Sequence, residues 1–279
     1  MTGTARRRVY FLSDGTGITA ETLGNTLLTQ FPDQDVERTT IPFIASADQA
    51  REIVAGIDGT DSPDGPGGEG EPVPLIFSTA VSPGIRDVLA GSRAHLVDLL
   101  GTHIGQLEQA FGKAASGEPG RAHGVGNAAR YQSRMTAVEY AFEHDDGQSI
   151  RALELAELIL IAPSRCGKTP TTMYLALQHG ILAANFPLVE EDFQRGRLPA
   201  PLEPFIAKCF GLTSNALRLS QIRNERRPES EYASLRQCGY ELRSAQEMYV
   251  ANGIPFVNSA SMSVEEISAT ILQRMRLHH

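Results

Sequence analysis

The feature that most constrains the fold is a run of five apolar residues, 158–162, that leads through a polar turn into Gly167-Lys168-Thr169. A helix-like segment follows and ends at Gly180. This succession of strand, loop and helix is the context that a phosphate-binding P-loop requires. In such a loop, backbone N–H groups and the positive end of the helix dipole converge on an anion. The predicted nucleotide-binding residues are Ala162, Pro163, Ser164, Arg165, Cys166, Gly167, Lys168 and Thr169.

Individual residues of this loop have distinct predicted roles. Lys168 would place a point charge on the phosphates, and Thr169 would offer a hydroxyl to a bound Mg²⁺. Ala162 stands where the P-loop consensus has glycine, and alanine is restricted at positive φ. This corner of the loop must therefore be reachable without a left-handed turn. The alternative interpretation is a buried strand, a loop and a helix that contain Gly-Lys-Thr without binding a nucleotide.

Composition and charge exclude several classes of protein. A hydrophobic content of 41% and a charged content of 21% in 279 residues are those of a soluble globular chain with one large or two ordinary domains. No apolar run approaches the roughly 20 residues that span a bilayer. A net charge of −8 argues against a nucleic-acid surface. The 3 cysteines form no Cys-x-x-Cys pair, so we expect a reducing cytoplasm rather than a disulfide framework or a zinc site.

Short apolar runs alternate with helical patterns along the chain, which is typical of an α/β fold with parallel sheets. A doubly wound parallel-sheet domain is predicted over residues 1–113. A Gly-rich linker, 114–130, and a P-loop kinase-like α/β domain, 131–279, would follow. Residues 58–72 are drawn only from Gly, Pro, Asp, Glu, Ser and Thr and are predicted to be a flexible surface insertion. The predicted strands cover residues 9–12, 38–44, 73–78, 158–162, 184–189, 209–213 and 255–258.

Two adjacent carboxylates, Asp145 and Asp146, lie shortly before the predicted P-loop strand. Phosphoryl transfer to a hydroxyl needs a carboxylate to orient or deprotonate the nucleophile, and carboxylates to hold Mg²⁺. No clear Walker-B pattern follows the loop, so this pair becomes the candidate. The predicted catalytic residues are Lys168, Asp145 and Asp146, and the predicted metal ligands are Thr169 and Asp146. Asp-Asp-Gly is equally typical of an ordinary turn.

Three other segments carry chemical alternatives. Gly15-Thr16-Gly17 fits a permissive dinucleotide fingerprint, with Asp33 or Asp35 near the distance expected of a ribose-binding acid. Such turns also cap helices or bind a lone phosphate, so an NAD-linked protein is only a second hypothesis. Cys166 could have a lowered pKa beside Lys168, or be simply a small loop residue. A basic cluster could stabilise a phosphoryl group or form a solvated helix face; it comprises Arg218, Arg223, Arg226, Arg227 and Arg236.

A set of segments, specific in combination, covers nearly the whole chain apart from residues 58–72. These are Ser13-Asp14-Gly15-Thr16, Ile18-Thr19-Ala20-Glu21, His144-Asp145-Asp146-Gly147, Ser164-Arg165-Cys166-Gly167-Lys168-Thr169-Pro170, Tyr232-Ala233-Ser234-Leu235-Arg236-Gln237-Cys238 and residues 255–266. They resemble the bacterial phosphoenolpyruvate synthase regulatory protein family, which is related to plant pyruvate, phosphate dikinase regulatory proteins. Ala162 departs from the glycine that is usual in this family.

The resemblance implies a bifunctional enzyme. Such proteins use ADP to phosphorylate a threonine of a partner enzyme, which inactivates it, and they remove that phosphate by phosphorolysis, which releases pyrophosphate. The implied protein substrate is phosphoenolpyruvate synthase, with ADP and inorganic phosphate as co-substrates, AMP as a product and Mg²⁺ as cofactor. A homodimer is also considered. The alternatives are pyruvate, phosphate dikinase as the target, or a non-catalytic nucleotide-sensing partner of a metabolic enzyme.

Overall fold

The computed structural model describes residues 6–59, 72–119 and 128–277. The chain forms two compact units, Met1–Gly126 and Asn127–His279. Most of the predicted insertion and part of the predicted linker lie outside the described residues. The domain boundaries expected from the sequence therefore stay predictions. Within the described part of the chain, no helix has the length and apolar character that crossing a membrane requires.

The first unit is built around a four-stranded parallel sheet in the order β2-β1-β3-β4. Its strands are β1 (Arg7–Leu12), β2 (Val36–Ile41), β3 (Leu75–Ser78) and β4 (His95–Asp98). Its helices are α1 (Ile18–Leu28), α2 (Ala47–Asp58), α3 (Pro83–Ala90) and α4 (Gly101–Phe111). The sequence pattern does not predict β4, because this edge strand has only 4 residues and none of them is fully buried.

Helix α1 contacts the sheet through its smallest residues. Ala20 and Gly24 are its buried positions. A Cβ atom at Gly24 would lie 2.5 Å from the ring of Phe11. Leu23 and Leu27, by contrast, are 40% and 41% exposed. The absence of a side chain at Gly24 therefore sets how closely α1 approaches the sheet.

The second unit contains another four-stranded parallel sheet, in the order β6-β5-β7-β8. Its strands are β5 (Leu158–Ala162), β6 (Ala183–Pro187), β7 (Cys209–Thr213) and β8 (Phe256–Asn258). Its helices are α5 (Ala128–Glu143), α6 (Lys168–Tyr174), α7 (Glu190–Arg195), α8 (Ala216–Arg226), α9 (Leu235–Ala251) and α10 (Val264–Met275). A π-helical turn, Leu175–His179, extends α6 as far as Gly180.

The topology of the second sheet determines where a ligand can bind. The chain adds β6 on one side of β5 and then crosses over to add β7 and β8 on the other side. Ligands of open α/β sheets bind beyond the carboxyl ends of the strands, at the point where successive connections diverge. That point lies between β5 and β7, and the segment that leaves β5 is residues 162–169, named here the 162–169 loop. The predicted α/β class with parallel sheets is confirmed.

Candidate functional site

The 162–169 loop joins β5 to α6 through two residues in the left-handed region. Arg165 has a φ of 72° and Gly167, which precedes α6, has a φ of 93°. Ala162 is the last residue of β5 and does not have a positive φ. The corner occupied by alanine is therefore reached from extended backbone, as expected. Turns of this kind direct successive N–H groups into a concavity that suits an anion.

Lys168 is the first residue of α6, and only 4% of it is exposed. Its ammonium donates to the carbonyls of Ala162 (3.3 Å) and Pro163 (3.5 Å), at the start of the loop. It lies 3.5 Å from Asp146 Oδ1. Burial lowers the pKa of Lys168 from its ordinary value, and the charge of Asp146 opposes that shift. Because the pKa is lowered in spite of these partners, an anionic ligand would further stabilise the charged form of Lys168.

The two predicted carboxylates lie at the same place but face different partners. Asp145 Oδ1 accepts hydrogen bonds from Thr169 Oγ1 (2.7 Å) and from Asn185 Nδ2 (2.6 Å). The side chain of Asp146, beside Lys168, is 57% exposed. Thr169 and Asp146 are the metal ligands that the sequence predicts. The structure instead places Thr169 against Asp145.

Asn185 is a site residue that the sequence analysis missed. It lies on β6, opposite Leu160 of β5, and is 1% exposed. Besides donating to Asp145, it accepts a hydrogen bond from the backbone N–H of Asp146 at 2.9 Å. One amide therefore ties the carboxylate of Asp145 and the backbone of Asp146 to β6. The available signal was a polar residue inside a buried strand, because a buried amide requires hydrogen-bond partners.

The donor set beside the loop suits a hard cation. Asp145 supplies a carboxylate and Thr169 a hydroxyl, and the two oxygens lie 2.7 Å apart. Mg²⁺ is usually bound by one or two carboxylates together with waters and substrate phosphates. No group of three or more His, Cys, Asp or Glu among the described residues could hold a metal without a ligand's help. The residues present therefore fit Mg²⁺ that arrives with a phosphate ligand.

His144 supports the turn that carries the carboxylates. It is 1% exposed, and its two ring nitrogens lie 2.8 Å from the carbonyl oxygen of Tyr140 and 2.6 Å from that of Arg151. Its ring stacks on Tyr140 with a centroid separation of 3.9 Å. These contacts tie the end of α5 to Arg151, on the far side of the Asp145–Gly147 turn. His144 therefore has a structural role here.

Arg223 is the buried member of the predicted basic cluster and is 0% exposed. It forms a two-pronged ion pair with Glu241, at 3.0 and 2.6 Å. Its Nη2 also donates to the carbonyl of Ser164 in the 162–169 loop at 3.0 Å. Burial acts to lower the pKa of Arg223, but the hydrogen bond and charge of Glu241 outweigh it and the pKa is raised. Arg223 therefore stays charged and holds the loop through the carbonyl of Ser164. The other members, Arg218, Arg226, Arg227 and Arg236, are exposed.

A cavity of about 550 Å³ opens beside Ser164. Tyr232 forms part of its wall and donates a hydrogen bond from its hydroxyl to Ser164 Oγ at 3.0 Å. The ring of Tyr232 also covers the guanidinium of Arg223, with 4.1 Å between the guanidinium carbon and the ring centroid. The cavity is therefore directly joined to the loop.

Cys166 is a packing residue of the loop. It is 1% exposed, and burial raises the pKa of its thiol to about 12 although Lys168 and Arg223 act to lower it. The desolvation effect thus exceeds the effect of the nearby cations. Its carbonyl accepts a hydrogen bond from Ser259 Oγ at 3.0 Å. Cys166 is therefore not an activated nucleophile. The group that it can offer to a ligand is its backbone N–H.

The N-terminal turn that suggested a dinucleotide site has structural partners within the first unit. Asp14 Oδ2 accepts hydrogen bonds from the backbone N–H groups of Val81 and Ser82, each at 2.8 Å. Asp35 lies 3.1 Å from Arg6 in an exposed ion pair. These contacts support the interpretation that the turn organises the start of α3.

Comparison with known proteins gives consistent matches over almost the entire chain. A family model described as kinase/pyrophosphorylase matches residues 9–272. A protein of Legionella pneumophila (strain Corby) is 47% identical over 267 residues, which is 96% of this chain and 96% of the relative. One of Marinobacter nauticus is 45% identical over 267 residues, with the same coverage. One of Bordetella parapertussis is 43% identical over 271 residues, 97% of this chain and 96% of the relative. All three are named as phosphoenolpyruvate synthase regulatory proteins.

Proposed function

The chain belongs to the kinase/pyrophosphorylase family, and we propose that it regulates phosphoenolpyruvate synthase by reversible phosphorylation. In one direction it transfers a phosphoryl group from ADP to a threonine of the synthase and inactivates it. In the other it removes that group with inorganic phosphate and restores activity. The relatives' names support the choice of partner. The free, buried cysteines are compatible with the cytoplasm expected from the sequence.

The observation that carries this proposal is the convergence of unlike charges at the carboxyl end of β5. The buried ammonium of Lys168 lies 3.5 Å from Asp146, while Asp145 is hydrogen-bonded to Thr169. Phosphoryl transfer to an alcohol requires a cation that binds the phosphate, a carboxylate that accepts the proton of the hydroxyl, and oxygen ligands for a metal ion. A passive anion site would not need the second carboxylate.

The chemistry assigns different roles to the two carboxylates. Asp146 is exposed and adjacent to Lys168, so it can reach the hydroxyl of an incoming threonine and accept its proton. The threonine oxygen then bonds to the β-phosphorus of ADP while the bond from that phosphorus to the bridging oxygen breaks, and AMP leaves. Asp145 and Thr169 would hold Mg²⁺, which would neutralise charge on the phosphate oxygens.

The same groups serve the reverse activity. An oxygen of inorganic phosphate bonds to the phosphorus of phosphothreonine, the bond to the threonine oxygen breaks, and pyrophosphate leaves. Asp146 returns a proton to the threonine oxygen, as microscopic reversibility requires. Lys168 and the loop N–H groups stabilise the transferring group in both directions, because its charge is similar in each. One site therefore accounts for both activities.

The test uses the full chain, purified phosphoenolpyruvate synthase and ADP labelled in the β-phosphate. We expect label on one synthase threonine, loss of synthase activity, and, after phosphate is added, release of labelled pyrophosphate with recovery of activity. Pyruvate, phosphate dikinase assayed in parallel identifies the preferred target. Binding of ADP without transfer to either enzyme would contradict the proposal and favour a non-catalytic nucleotide sensor.

A further inference from the structure

The cavity beside Ser164 lies at the end of the loop where the transferring phosphoryl group must be. The ammonium of Lys168 contacts the carbonyls of Ala162 and Pro163, which directly precede Ser164 in the chain. In loops of this type the lysine reaches the terminal phosphates of the nucleotide. The terminal phosphoryl group therefore lies toward Ser164, and an acceptor hydroxyl has to approach it from this side.

The lining of the cavity is acidic. Three glutamates, Glu190, Glu231 and Glu241, contribute to it. The only described basic residue in the lining is Arg223, whose charge is matched by Glu241 at 2.6 Å. Glu190 and Glu231 are exposed and are left to set the sign of the potential. Such a lining repels the phosphates of a nucleotide and attracts a cationic side chain.

The cavity is also preorganised. Gln237 Nε2 donates to Glu190 Oε2 (3.0 Å) and to Glu241 Oε1 (3.2 Å), which links the start of α7 to α9. Tyr232 is fixed by its hydrogen bond to Ser164 Oγ and by its stacking on the guanidinium of Arg223. The buried Nε of Arg223 has no hydrogen-bond partner among the described residues. A volume of about 550 Å³ is in the range of pockets that hold a substantial part of a ligand.

From these observations we propose that the cavity is the acceptor subsite, which binds a polypeptide segment carrying a lysine or arginine near the target threonine. This inference rests on the proposed function. Glu190 and Glu231 pair with the basic side chain, and the apolar wall, which includes Val189 and Phe193, covers its aliphatic stem. The threonine is then held between the cavity and Asp146.

The test compares Glu190→Gln and Glu231→Gln, singly and together, in the full chain, with phosphoenolpyruvate synthase as substrate. We expect a roughly threefold to tenfold higher KM for the synthase in the double variant, since partly exposed charge pairs contribute modestly. The kcat at saturating synthase and the KM for ADP should not change. The matched control is Glu191→Gln, because Glu191 is the exposed neighbour on α7 and is not part of the cavity lining.

A second arm replaces each lysine and arginine near the labelled threonine of the synthase by glutamine. One of these changes should raise the KM for the wild-type chain but not add to the effect of the double variant. An unchanged KM for the synthase, or a higher KM for ADP alone, would overturn the acceptor assignment while leaving the proposed function intact. Absence of transfer by the wild-type chain would contradict both the acceptor assignment and the proposed function.

Discussion

At the scale of single residues, the structure separates two aspartates that are adjacent in the chain. We expect Asp146→Asn to bind ADP and Mg²⁺ but to lose threonine phosphorylation and pyrophosphate formation together, by about 10²–10⁴ in rate, because the same carboxylate accepts the threonine proton in one direction and returns it in the other. Asp145→Asn should instead require about tenfold more Mg²⁺ for half-maximal activity, since Asp145 contacts Thr169. Rate measurements across a Mg²⁺ titration distinguish them. If both variants keep both activities, the base lies elsewhere; if one direction survives untouched, the single-site reading is wrong.

Lys168 illustrates a conflict between stability and function. Burial lowers its pKa, so its charged form is disfavoured in the folded state. Lys168→Met should therefore raise the thermal midpoint, and it should lower transfer in both directions by about 10²–10³ because a fixed phosphate contact is lost. Calorimetric unfolding and rate measurements on the same preparation check this. A variant that retains more than about a tenth of the wild-type rate would contradict the assignment of Lys168 to the phosphate.

The same residue gives a pH dependence with a definite sign. A lysine with a lowered pKa loses its proton below the ordinary value of 10.5. Affinity for ADP should therefore decline as pH rises through the lowered pKa, whereas the cost of holding a buried charge is relieved over the same interval, so that stability rises toward 10.5. Calorimetric binding measurements at increasing alkaline pH test this. Where Lys168→Arg still binds ADP, it should show no decline in that interval.

The sequence singles out the loop and the aspartates as candidate site residues because their residue types and spacing are local signals. It could not distinguish Arg223 from its exposed neighbours, since burial depends on Glu241 and on the carbonyl of Ser164, both distant in the chain. Asn185 was missed for the same reason, because its partners lie on another element. The roles of such residues depend on tertiary contacts, which a periodic pattern does not encode.

At the scale of elements, two helical glycines allow opposite expectations. Gly24→Ala in α1 should destabilise the chain by about 1–2 kcal/mol, because a Cβ atom would lie 2.5 Å from the ring of Phe11 and overpacking exceeds the gain in helix propensity. Gly56→Ala in α2 should stabilise by about 0.5–1 kcal/mol, because that Cβ meets no heavy atom of the described residues within 4 Å. Urea unfolding followed by circular dichroism compares them. If both substitutions changed the free energy of unfolding equally and in the same direction, α1 would not lie as close to the sheet as described.

Elements differ in how far the sequence predicts them. Helix α10 begins with a capping box, in which Ser263 Oγ accepts a hydrogen bond from the N–H of Glu266 and the carboxylate of Glu266 accepts one from the N–H of Ser263. Its signal lies within four consecutive residues. Strand β4 was not predicted, because an edge strand of 4 residues has too little apolar periodicity. Features formed by a few consecutive residues can therefore be predicted from the sequence, whereas a short edge strand depends on pairing with its neighbouring strand.

The two units of the chain have the same strand order. In each, the first strand of the unit lies between the second and the third, and the fourth lies at the edge. No internal repeat is visible in the sequence. The similarity is one of topology, and it arises because right-handed crossovers permit few arrangements of a four-stranded parallel sheet. The charged groups of the candidate site, Lys168, Asp145 and Asp146, all belong to the second unit.

The second unit should therefore bind nucleotide without the first. Three core clusters of described residues lie wholly within it, and Lys168, Asp145, Thr169 and Asn185 all belong to it. We expect residues 127–279, produced alone, to unfold cooperatively and to bind ADP with Mg²⁺ within about threefold of the affinity of the full chain. Calorimetry on both proteins measures this, and the fragment carrying Lys168→Met is the control that should not bind. A fragment that folds but does not bind ADP would show that the first unit completes the nucleotide site, and the assignment of the whole site to the carboxyl end of the second sheet would then be wrong.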